Sequence, residues 1–66
     1  MSEDDRAALH ALRQWHNGRA LTGAQRALDK RASRHTAEAH RKVASFHERA
    51  TRTLDAVIAQ ATGSAA

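Results

Sequence analysis

The chain has no cysteine and no proline, and its 66 residues include only three glycines. Without thiols there is no disulfide to staple the fold and no Cys-based zinc site. With no proline, and with glycine only at positions 18, 23 and 63, little interrupts a helix-forming sequence. Aromatic side chains are scarce: Trp15 and Phe46 are the only ones besides the histidines. No segment approaches the roughly 18 apolar residues that a transmembrane helix needs. The opening Met1-Ser-Glu-Asp-Asp5 is acidic where a signal peptide is basic, so the expected location is cytoplasmic. Catalytic patterns are missing too, with no Cys nucleophile, no Gly-rich phosphate loop and no paired carboxylates in a predicted pocket. A non-enzymatic protein without a cofactor is expected.

What is present is alanine and arginine. Of 27 hydrophobic residues 16 are Ala, which leaves eleven bulky ones. A chain this short buries only about 60% of its unfolded surface. Small scaffolds of this kind usually need a staple, and oligomerisation is the common one left when disulfides are excluded.

The residues predict an all-α fold, a helical hairpin forming a single domain over 1–66, with 62–66 a disordered tail. Ser2 is a good N-cap, with Asp5 in the capping-box position and acids in the first turn. Asn17-Gly18 tolerates the left-handed conformation common at helix C-termini, so the first helix is expected over 3–16. Thr22-Gly-Ala-Gln25 fits a second capping box, and no breaker follows until Gly63. At 100° per residue, Leu21, Leu28, Ala32, Ala39, Phe46, Ala50, Val57 and Ala61 share one stripe. That continuity predicts one long amphipathic helix over 23–61. The alternative breaks near 33–36 and folds back as a three-helix bundle. The large residues recur on an eighteen-residue, five-turn period, which argues against a strict heptad.

A 14-residue helix of about 21 Å lying against one of about 58 Å leaves the far half of the longer helix unpartnered. Val43, Phe46, Ala50, Leu54, Val57, Ile58 and Ala61 are therefore the candidate protein interface, centred on Phe46, because an exposed apolar stripe marks an interaction surface. The simplest occupant is a second copy, two hairpins pairing into a multi-helix oligomer, with a dimer foremost. Another protein on the same stripe is equally compatible.

The formal charge is +4, but residues 6–54 hold all eleven Lys and Arg with only Asp29, Glu38 and Glu48 against them. Arg26, Lys30, Arg31, Arg34, Arg41, Lys42, Arg49 and Arg52 lie opposite the stripe and are the candidate phosphate or anion contacts. The alternative function is thus non-specific nucleic-acid binding by this basic protein. Sequence-specific reading is not expected, since the face lacks stacking aromatics and has almost no Asn or Gln. Membrane-surface binding is not favoured either, because an Ala-rich face inserts weakly. Five histidines raise the question of metal. His40 and His47 share a side, but Ala44 stands where a third ligand belongs, so no metal site is expected. His16 and His35 flank the apolar faces, where protonation could tune association. The function expected is that of a small helical adaptor, regulator or assembly component.

Overall fold

The computed structural model describes residues 1–63. It contains two α-helices packed antiparallel, α1 over Glu3–Ala27 and α2 over Arg34–Gly63. The all-helical hairpin is as expected, but its helix boundaries are not. Ser2 caps α1 as predicted, the Asp5 N–H donating to its Oγ at 3.1 Å. Asn17-Gly18 does not end the helix; α1 runs nine residues past Gly18. A mid-helix glycine costs only about 1 kcal/mol relative to Ala, and the packing of the following turns outweighs it. The Thr22 hydroxyl donates back to the Gly18 carbonyl at 3.0 Å instead of capping a new helix.

The reversal falls at residues 28–33, so neither one long helix over 23–61 nor a three-helix bundle forms. Asp29 builds the turn by accepting the Arg31 N–H on its side chain at 3.0 Å and the Ala32 N–H on its carbonyl at 3.1 Å. Ser33 then caps α2, its Oγ accepting the Thr36 N–H at 3.1 Å and its carbonyl the Ala37 N–H at 2.9 Å. Asp and Ser do this through side-chain oxygens, and no described residue needs a positive φ. The expected tail at 62–66 is helical through Gly63; its last three residues lie outside the described part.

The helices meet along a 3-4 spaced seam. In α1 it runs Leu9, Arg13, His16, Ala20, Gly23, Ala27; in α2 it runs Ala37, His40, Ala44, His47, Thr51, Leu54, Ile58, Ala61. Within the helices every described residue that is not exposed lies on this seam, except Asn17 and Ala50. That is a heptad pattern, contrary to the expected eighteen-residue period, and it is built largely from small and polar side chains. Gly23 is a point of close approach. A Cβ there would sit 3.0 Å from the Ala44 Cβ and 3.2 Å from the His40 carbonyl oxygen. One interhelical ion pair, Arg13 to Asp55 at 2.9 Å, lies towards the open end.

The cost of a small-residue seam is a thin core. A buried Ala methyl contributes about 0.8 kcal/mol, against roughly 1.5–3 for a buried Val, Leu or Phe. Among the described residues no large side chain is fully buried, and Leu12, Trp15, Val43, Phe46 and Val57 are exposed.

The two described glycines therefore respond oppositely to substitution. Gly23→Leu should lower stability by about 1–3 kcal/mol by overpacking. Gly18→Ala, with nothing within 4 Å of the new methyl, should raise it by about 0.5–1 kcal/mol. Thermal melts of the two variants check both signs.

Candidate interaction face

Residues one position before the seam point to one side of the hairpin in both helices. They are rotated about 100° in the same sense around each helix axis, and reversing one helix brings the two sets to the same side. On α2 these are Thr36, Ala39, Val43, Phe46, Ala50, Thr53, Val57 and Gln60, with no charge among them. On α1 they are Ala8, Leu12, Trp15, Arg19, Thr22 and Arg26. The positions one after the seam on α2 read Glu38, Arg41, Ser45, Glu48, Arg52, Asp55. The hairpin is thus two-sided along α2, uncharged on one flank and charged on the other.

At mid-length the uncharged flank carries a cluster of four rings. Trp15, 50% exposed, and Phe46, 64% exposed, stand over a pair of seam histidines. The His16 and His47 Nδ1 atoms are 2.8 Å apart. A bond of that length needs one imidazole to donate and the other to accept. The Trp15 indole meets His16 and His47 edge-on, with centroids at 4.8 and 5.3 Å. Phe46 meets His47 at 5.1 Å and His16 at 6.2 Å. The Arg19 guanidinium lies 5.2 Å from the Trp15 ring centroid, within cation–π range. Among the described residues no three His, Asp or Glu side chains converge.

The seven apolar candidates divide between two surfaces. Val43, Phe46, Ala50 and Val57 lie on the uncharged flank. Leu54, Ile58 and Ala61 lie on the seam and are half-buried against α1. The length mismatch that singled them out is gone, since α1 has 25 residues and α2 has 30. Leu12 and Trp15 join the face from α1. Their 3-4 spacing with Ala8 and Arg19 is legible in the sequence, but only their placement beside α2 makes them part of a surface. Of the basic candidates, Arg26, Lys30, Arg31, Arg34, Arg41 and Lys42 gather in and around the turn. Arg49 and Arg52 sit farther along α2, and Arg52 pairs with Glu48 at 2.9 Å. All eight are exposed. His35 is exposed as well, whereas His16 finds its partner 31 positions away.

Comparison with protein-family models, with curated proteins and with solved structures finds no match. Among the described residues no helix is long and apolar enough to cross a membrane.

His47 is held below the ordinary histidine value near 6.5, first by burial and then by the charges of His16 and Arg19. The unfolded chain, with a normal histidine, therefore takes up a proton at higher pH than the folded chain does. Stability is unaffected by this site above about pH 6.5; it falls as pH drops below that value, until His47 is protonated in the fold as well. The melting temperature should decrease between pH 7.5 and 5, and His47→Gln should decrease less over the same interval. Equal slopes for the two proteins would mean that His47 is not the titrating element.

Proposed function

We propose that this protein is a small non-enzymatic helical interaction module, an adaptor, regulator or assembly component, that docks through the flank of its hairpin that α2 leaves uncharged. The observation that carries this reading is the inversion of the usual arrangement. Small residues hold the two helices together, while Leu12, Trp15, Val43, Phe46 and Val57 face outward on one side. Surface scaling supports it. A compact monomer of this mass exposes about 4,100 Å², whereas this chain exposes 5275 Å². Trp and Phe grouped at the middle of a face are typical anchors of binding energy, and an exposed apolar strip of this length marks a contact surface.

Site-specific photo-crosslinking in the host cell tests the face without presuming its occupant. A benzophenone side chain at position 46 should give discrete protein adducts, and the same probe at Ser45, on the charged flank, should give none. Equal labelling from both positions would sink the docking reading.

A second reading, non-specific nucleic-acid binding, rests on the crowding of cations at the turn. Residues 17–42 hold seven Lys and Arg against Asp29 and Glu38. If these groups grip phosphates, mobility shift on random duplex DNA should give micromolar affinity that falls steeply between 50 and 200 mM salt, values at which a phosphate-based grip loses orders of magnitude. Negligible binding at the lower salt would remove this reading.

A further inference from the structure

We infer that the occupant of the uncharged flank is a second copy of this chain, laid face to face with its turn over the first copy's open end. This rests on the docking reading above and adds the partner and its orientation. Three features of the chain select it.

The first is size. The hairpin measures 50 Å by 16 Å along and across the helices, so one flank offers about 800 Å². That is what each partner of a stable standard-size interface contributes, and the chain's excess exposed surface is of the same order.

The second is charge. The turn end is cationic, as described above. The open end, residues 1–5 and 53–63, carries Glu3, Asp4, Asp5 and Asp55 with no Lys or Arg. Two copies stacked in the same direction would set acid over acid and base over base. Stacking them in opposite directions sets each cationic end over an acidic one, the complementarity that orients interfaces.

The third is the register of the flank itself. A two-fold axis crossing the hairpin at mid-length, near Trp15 and Ala50, lays each helix antiparallel on its own copy. Residue numbers facing each other then sum to about 31 in α1 and 100 in α2. Those sums bring Arg26 over Asp5 of the other copy, Val43 over Val57, and Ala50 over itself. Each is a compatible pair; Asp5, one position before Arg6 where the 3-4 seam spacing extends, shares the flank with the other four residues. The Ala50 pair lets the helices approach closely at the axis, while Trp15 fills the space beside it. The product is a four-helix bundle whose second layer supplies the large-residue core that the hairpin lacks.

Light scattering on the full chain, over a dilution series from the high-micromolar range, should return twice the 7.2 kDa chain mass. Because the chain has no cysteine, Ala50→Cys gives a single thiol on the axis. Oxidation should convert it to a covalent dimer, while Ser45→Cys stays monomeric on a denaturing gel. Asp5→Arg or Arg26→Asp alone should weaken the dimer about tenfold, because two symmetric pairs turn repulsive. The double variant should recover most of the loss, which a merely misfolded protein would not do. A stable monomer at every concentration overturns the inference. Adducts of the position-46 probe with a different protein would then leave the docking face standing, and no adducts would remove both. A dimer without the Ala50→Cys crosslink and without charge-swap rescue overturns this pairing.

Discussion

The close approach of α1 and α2 at Gly23 and Ala44 is the constraint on which the rest of the molecule depends. No side chain larger than hydrogen fits at Gly23 without displacing the Ala44 methyl or the His40 carbonyl. Helices that approach this closely can bring small groups and backbone into contact along much of the seam, as Ala27, Ala37, Ala44 and Thr51 do. The Thr51 hydroxyl is satisfied by the His47 carbonyl of its own helix at 2.9 Å, so this polar member of the seam needs no partner across it. Tight packing of small residues makes good dispersion contact, but it removes little apolar area from water. Large side chains are left to project sideways, and every feature of the uncharged flank follows from that.

The same constraint puts two imidazoles in the seam. At the level of His16 and His47 the helices are bridged by edge-on and tilted ring contacts and a single 2.8 Å hydrogen bond. Trp15 and Phe46 partly cover the pair from the flank, and the Arg19 charge nearby disfavours protonation of His47. The ring cluster thus joins the seam to the face. Protonation of His47 therefore bears on both the hairpin's own packing and the surface proposed for docking.

Much of the fold was legible because local chemistry wrote it. The absence of proline, the run of Ala, Arg, Leu and Glu, and the Ser2 cap each favour helix whatever lies nearby. The reversal was harder to read. Asn17-Gly18 carries the stronger local stop signal, yet the helix continues because Gly23 and Ala27 gain contacts with α2 only if it does. The true turn has neither Gly nor Pro and depends on Asp29 and Ser33, residues that are equally common on helix surfaces. The seam is hard to read because bulk does not mark it. Following Phe46 and Val57 traces the flank, whereas the contact runs one residue later through Ala44, His47 and Thr51.

By itself, then, the amino-acid order determined that the chain is helical, that it reverses once to pack on itself, that an uncharged strip runs along the C-terminal half, and that cations outnumber acids near the middle. Those properties depend on neighbours within a turn or two, or on composition alone. Which residues face the other helix, which histidines meet, and which flank collects Leu12 and Trp15 alongside Phe46 were decided by tertiary structure. Each depends on the register between segments up to 42 positions apart, as in the Arg13–Asp55 pair. That register depends on where the two backbones can approach closely, as they do at Gly23, a property of Gly23 and Ala44 together and of neither one alone.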